Sequence, residues 1–572
     1  MEYVTGQRQV ILNFSELYCK SEIEILNSAC FADIWSRFVK KAVKTHNVSQ
    51  LVVLNCLPNP EDDFVYLFKL IFSLDKDEIV KINDSYKLIL DDYREQFYDL
   101  IEAFYDFWRA FERYGVIFSK SNGSGVASVS FNEAQSNFNN LVLKTYRAIA
   151  ETVYGNKFSI YRQVPAGINA GLLISKHRWM AEDSIYSFLA LGEAIEQISL
   201  RPPFISYSAK NKRTGTYPEA KENPIYRFKD NFNADEFYCY SAKVGSSLTY
   251  VYFHRDYLAH GITLCNLFEF VPLRECKHKK PELLYIFGAP YEGESEFYYD
   301  KENDIYVGVA PHDESIDYFG YMKKMLLTLY NTKMIEDGSL PIHGACVNLT
   351  MKNGETKNIV IIGDSGAGKS ESLDALATFA GDNISSQLTV FDDMGTFKLV
   401  DGKVLAYGTE IGAFVRTDDM TPGYAYREMD RAIFMNPDKI NSRLVIPVAT
   451  YSQIMKGYPI DMVLYANNYD DCEEEIVFFD NVEDALKVFI RGARRAKGTT
   501  QEVGLVESFF ANPFGPVQRE AQTRVILDKM FGALFDAKIP VGQMHTRLAV
   551  PSMEQEGPEK AAKKLFELLD TK

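Results

Sequence analysis

Residues 359–370 read IVIIGDSGAGKS, and no other stretch constrains the chain as much. Four β-branched apolar residues suit a buried strand. Gly363, Asp364, Ser365, Gly366, Ala367, Gly368, Lys369 and Ser370 then fill the pattern G-x-x-x-x-G-K-[ST], and residues 370–379 (SESLDALATF) suit a helix. The residue types follow from what a phosphate needs. Glycines let backbone N–H groups close around it at a helix N-terminus, Lys369 adds charge, and Ser370 offers a hydroxyl to Mg²⁺. Strand, loop and helix in succession imply a nucleotide site in an α/β fold.

At 572 residues and 46% hydrophobic content, the chain has material for two to four domains, on a prior of roughly 150 residues each. A net charge of −16 argues against nucleic-acid or anionic-membrane binding, so basic groups must be focused on a local site. The eight cysteines form no C-x-x-C and no metal-type spacing with histidine, which reads as reduced, buried thiols. The N-terminus has no secretory pattern, and no apolar run approaches the roughly 20 residues that span a bilayer. The expectation is a cytoplasmic protein with no membrane or nucleic-acid partner.

Texture along the chain suggests three regions. Residues 1–200 read as helix-rich, with Phe97, Ile101, Phe104, Trp108 and Phe111 on one face of a helix over 92–114, a serine- and glycine-rich linker at 119–130, and helical patterns again over 132–199, interrupted at 161–174 by YRQVPAGINAGLLI, whose proline and glycines demand turns. Alternating aromatic-rich strands begin after residue 200, giving a second, α/β domain over 201–330 and the nucleotide domain over 331–572. Several groups could serve a phosphate site. Lys323 and Lys324 are adjacent on a helix over 317–330, and only one is expected to face a given site; His343 lies in the strand PIHGACVNLT. The strand LTVFDD ends in Asp392 and Asp393, where a strand-terminal acid can hold Mg²⁺ across from Ser370. Arg443 sits at the mouth of the strand over 442–448, and the loop over 208–221 carries Lys210, Lys212 and Arg213.

Taken in order, these segments resemble phosphoenolpyruvate carboxykinase of the ATP-using type. YFGYMKK at 318–324 is similar to the family's Y-G-G-E-M-K-K, IHGA at 342–345 to M-H-C-S-A, GDSGAGKS to its phosphate loop, and FDD at 391–393 to its D-D pair. INSRLVIPV and AKGTTQEVGLVESFFANPFG resemble two later family segments, so the likeness covers roughly residues 200–550. The fold it implies is a carboxykinase-like mononucleotide-binding domain plus a second α/β domain, behind a helix-rich N-terminal region open to a protein partner.

By resemblance, Lys324, His343 and Asp393 would surround a Mn²⁺, and Asp392 and Ser370 would serve the Mg²⁺ that accompanies ATP. Lys324 would then need a depressed pKa. Arg443 would hold a carboxylate or the transferring phosphate, Arg213 is the nearest counterpart of the family's substrate-loop arginine, and Arg547 would lie against the nucleotide base. The implied reaction converts oxaloacetate and ATP to phosphoenolpyruvate, ADP and CO₂. Other features point elsewhere. His343 is followed by glycine and the loop ends in Lys-Ser-Glu, as in HPr kinase/phosphorylase, while the family's glutamate and histidine after D-D are replaced by Met394 and Gly395. A kinase acting on the hydroxyl of a protein serine or small molecule is therefore the alternative, and a nucleotide-sensing protein without turnover the third reading.

Overall fold

The computed structural model describes residues 2–5, 9–13, 19–109, 111–116, 126–154, 160–161, 169–176, 179, 184–191, 193–200, 203–209, 216–276, 278–380, 383–417, 431–439, 442–496 and 504–570. The chain is α/β with mixed sheets. It divides into two compact units, residues 1–158 and 159–572.

In the first unit, helices Ala29–Thr45, Pro60–Ile71, Arg94–Arg109 and Val126–Tyr154 accompany a three-stranded sheet of Glu2–Thr5, Gln9–Asn13 and Glu112–Val116. The aromatic stripe read from the sequence is core: Phe97, Ile101, Phe104, Trp108 and Phe111 are all buried. They close on Trp35, whose ring meets Phe104 edge-on at 4.8 Å and whose Nε1 donates to Pro60 O at 2.9 Å. The helix is shorter than expected, ending at Arg109, because the chain leaves it to supply the third strand.

Asp99, on that helix, has its carboxyl pushed up to about 6 by burial, with Glu95 and Glu102 adding like charge. A raised carboxyl stabilises the fold fully below its unfolded value near 4, and that stabilisation is lost as pH climbs through about 6. Asp99→Asn should therefore stabilise this unit by ~1–2 kcal/mol at pH 7, allowing for residual solvent screening, and leave it unchanged at pH 4. Equal denaturation midpoints of variant and parent at pH 7 would refute this.

Helical patterning over 132–199 does not hold beyond Tyr154. Residues 160–161, 170–176 and 193–200 are strands of the second unit's nine-stranded sheet, so the first boundary falls at residue 158 and not at 200. Ile195 and Ile198, three apart, mimic a helical spacing. In Glu193–Leu200 the register against Ala170–Lys176 skips Glu196, a bulge that lets residues of opposite parity both be buried. The rest of this sheet runs Glu296–Asp300, Ile305–Pro311, Leu283–Ala289, Ser247–His254 and Phe237–Val244, with three central strands parallel and Glu269–Phe270 paired to Phe237–Val244.

Residues 201–330 and 331–572, expected as separate domains, cluster as one body. Its eight-stranded sheet is ordered Tyr458–Pro459, Lys403–Gly408, Ile384–Val400 (the aspartate strand), Leu340–Met351 (the histidine strand), Thr356–Ile362 (the loop strand), Met462–Asn467, Val541–His545 and Ile476–Phe478. A four-stranded sheet of Gly412–Arg416, Arg443–Pro447 (the arginine strand), Ile433–Met435 and Phe204–Ser206 joins the two regions. In it Phe204 pairs with Ile433, and Ser208 N donates to Asn436 Oδ1 at 2.9 Å. The helix Phe319–Glu336 (the lysine helix) is buried nearly all round. No helix among the described residues is long and apolar enough to cross a membrane.

Candidate functional site

The loop strand is buried from Asn358 to Ile362 and apolar from Ile359, and Lys369–Ala380 (the loop helix) follows the loop. Between them Gly366 and Gly368 take φ of +76° and +95°, values that favour glycine. A Cβ on Gly368 would also lie 2.6 Å from Thr546 Oγ1, so both conformation and space demand glycine there. Lys369 Nζ folds over the loop and donates to Gly363 O at 2.8 Å and Asp364 O at 3.0 Å. This geometry gathers backbone N–H groups, a helix N-terminus and an ammonium at one point, which is an anion cradle.

The acidic pair meets this cradle. The histidine strand lies between the aspartate and loop strands, pairing Ala345 with both Asp392 and Ile361. Ser370 Oγ consequently donates to Asp392 Oδ1 at 3.0 Å. Burial pushes the Asp392 carboxyl up against the pull of Lys369 and Ser370. Asp393 behaves oppositely: burial would raise it, but Lys323 and His343 together hold it well below the usual carboxylate range. Lys323 Nζ donates to Asp393 Oδ2 at 2.5 Å, and His343 Nε2 lies 3.1 Å from Asp393 Oδ1. Asp393 adopts φ of +145°, which non-glycine residues rarely do and which these contacts sustain.

His343 is aimed by a distant turn. Its Nδ1 bonds Ala511 O at 2.7 Å, a carbonyl presented by Phe510 and Ala511 at φ of 54° and 50°. With Nδ1 on that carbonyl, Nε2 is the ring nitrogen that faces Asp393.

Of the adjacent lysines Lys323 makes the ion pair to Asp393, while Lys324 feels the charges of Asp393 and Asp364. Lys323 is buried and also lies 3.0 Å from Glu410 Oε1. Burial lowers its pKa, yet Asp393 and Glu410 outweigh that and raise it. One cation thus faces two carboxylates. Asp393 keeps the charge, while burial takes Glu410 up to about 8, so Glu410 carries a proton at neutral pH. Lys324 has its pKa lowered by burial, with Lys323 and Arg443 adding repulsion against the attraction of Asp393 and Asp364. Its Nζ stands 5.6 Å from the centre of the Phe514 ring.

Arg443 heads the arginine strand, where its guanidinium and the Lys323 ammonium approach the same Phe414 ring at 6.0 and 5.7 Å. Arg213, with Lys210 and Lys212, lies outside the described residues. The flanks of its loop are tied to the start of the lysine helix: Ala209 N donates to Asp317 O at 2.8 Å, and Tyr217 OH to Tyr321 O at 3.0 Å. Arg547 follows Thr546, whose hydroxyl donates to Ala367 O in the glycine loop at 2.6 Å. Its own guanidinium is buried and donates to Cys472 O.

Sequence reasoning missed Lys323 as a partner of Asp393, and it missed Glu410 and Arg494 altogether. Arg494 Nε donates to Asp364 Oδ2 at 2.6 Å, and both residues are buried. Burial would raise Asp364, but His343 and Arg494 hold it below its ordinary value. A signal existed for Lys323, a second lysine within the apolar first half of its helix. Arg494 was one of three arginines in RGARR, and nothing local marks it.

No protein-family model matches the chain, and no curated protein does so either.

Proposed function

We propose that this cleft transfers the γ-phosphoryl group of ATP to an anionic small molecule, and that the reaction is that of phosphoenolpyruvate carboxykinase. The observation that carries the reading is the pair of cations beside the acidic pair: Lys323 holds Asp393, and Arg443 approaches the same Phe414 ring as Lys323. Fixed positive charge of that kind suits an anionic acceptor.

Asp393 Oδ1 and His343 Nε2, 3.1 Å apart, have the separation of two ligands on one ion, roughly 3 Å. The donor set therefore fits the Mn²⁺ that the resemblance implies, with the lowered Lys324 as third ligand, and Asp392 with Ser370 fits Mg²⁺. Such ions supply neutralising charge around the γ-phosphoryl group. The chain's own residues do the rest. Arg443 holds a carboxylate of oxaloacetate, and Lys323 fixes Asp393. The bond to the departing carboxylate breaks, releasing CO₂ and leaving its electron pair as an enolate. The enolate oxygen then attacks phosphorus as the bond to ADP breaks, and Lys369 and the loop N–H groups hold the charge that accumulates on the phosphates.

Purified protein with ATP, Mg²⁺, Mn²⁺ and oxaloacetate should form phosphoenolpyruvate. If nucleotide binds and no phosphoenolpyruvate forms, the carboxykinase reading fails and a hydroxyl-directed kinase takes its place as the leading one. The raised Asp392 favours that second reading, since a carboxylate of higher pKa is the better general base. His343→Ala should weaken Mn²⁺ binding by ~10-fold or more, because losing even an outer partner of a ligand costs that much. Unchanged affinity in a titration would leave His343 out of the metal set.

A further inference from the structure

We propose that His254, Asp256 and His312 form a second metal site, apart from the nucleotide cleft and suited to a four-coordinate divalent transition ion of the zinc class. Ser247–His254 and Ile305–Pro311 run parallel on either side of Leu283–Ala289, and both histidines emerge at the C-terminal ends of the flanking strands. Crevices at that edge of a parallel sheet are where ligands bind. Gly288 ends the middle strand, where a Cβ would come within 2.9 Å of the His254 Cβ. Glycine there leaves room for two imidazoles whose centres are 4.4 Å apart.

The donor spacing is that of a coordination shell. Ligands about 2.0–2.1 Å from a tetrahedral ion lie about 3.3 Å from one another. His254 Nδ1 is 3.3 Å and His312 Nε2 is 3.0 Å from the same oxygen, Asp256 Oδ2. His254 Nδ1 also accepts the Asp256 backbone N–H at 3.3 Å, so this nitrogen carries no proton. Glu236 Oε2, 3.6 Å from His254 Nε2, is placed to take the other ring proton, and Arg255 fixes Glu236 with a 3.1 Å hydrogen bond. A carboxylate behind a ligating histidine holds its tautomer and raises its basicity.

Three protein ligands leave a fourth position, and both histidines line a cavity of about 590 Å³ with Asn231, Asn233, Tyr291 and Glu292. An open position in a roomy pocket is the pattern of a zinc site that binds a further ligand.

Full-length protein stripped with a chelator should take up Co²⁺, in the absence of nucleotide, with the intense visible absorption of a four-coordinate ion at one equivalent, and Zn²⁺ should displace it. His312→Ala should lower the Co²⁺ affinity at least ~10-fold. The His312 side chain is 42% exposed, so its truncation should leave the fold intact, and His312→Gln provides a second test of the same ligand. The signal should persist in His343→Ala. Retention in both His312 variants, loss in His343→Ala, or a thiolate charge-transfer band would each overturn the site.

Discussion

Arg443→Ala is expected to lower kcat/KM for phosphoenolpyruvate formation from oxaloacetate by roughly 30- to 1,000-fold, the ~2–4 kcal/mol of a charge-assisted contact to the reacting group. ATP affinity should be unchanged, because the cradle for the phosphates is built from residues 363–370 and the arginine strand belongs to another sheet. Arg443→Lys should recover only part of the loss. A lysine keeps the charge but not the planar fork that grips a carboxylate at two points. Equal kcat/KM in variant and parent would remove Arg443 from the acceptor site, and a parallel loss of ATP binding would show that the residue acts through the fold.

The largest stability effect is expected at Arg494. Removing its guanidinium leaves Asp364 buried without its closest partner, at a cost of about 3–5 kcal/mol to the 159–572 unit. Because the penalty is a stranded charge and not the lost attraction, Arg494→Met combined with Asp364→Asn should cost clearly less than Arg494→Ala alone. Denaturant titrations of the three proteins decide the matter. A change below about 1 kcal/mol for Arg494→Ala would mean that the carboxylate finds water or another cation, and the loop does not depend on this pair.

What could be read from the sequence follows the range of the forces involved. The glycine loop was legible because a phosphate cradle is local: its spacing, its strand and its helix lie within some twenty residues. The strands bearing His343 and Asp393 were legible for the same reason, although the second runs on to Val400 and does not end at the aspartates. Arg494 reaches Asp364 across 130 positions, and the Ala511 carbonyl reaches His343 across 168. Such contacts depend on which surfaces meet, and no spacing encodes them. The helical reading failed over 193–200 for a different reason, a bulge that changes which faces of a strand are buried.

The strand Phe204–Ser206 bears on how this protein could be divided or recombined. It seals the open edge of Ile433–Met435, the neighbour of the strand that delivers Arg443, and Asn266 Nδ2 adds a bond to Val445 O at 2.9 Å. A gene fragment starting at residue 331 would retain the whole glycine loop yet lose both supports, exposing an apolar edge to pairing with other copies. The nucleotide half is therefore no exchangeable cassette. Swaps or truncations that preserve acceptor binding must carry residues 204–270 with it, and the two halves should be inherited together.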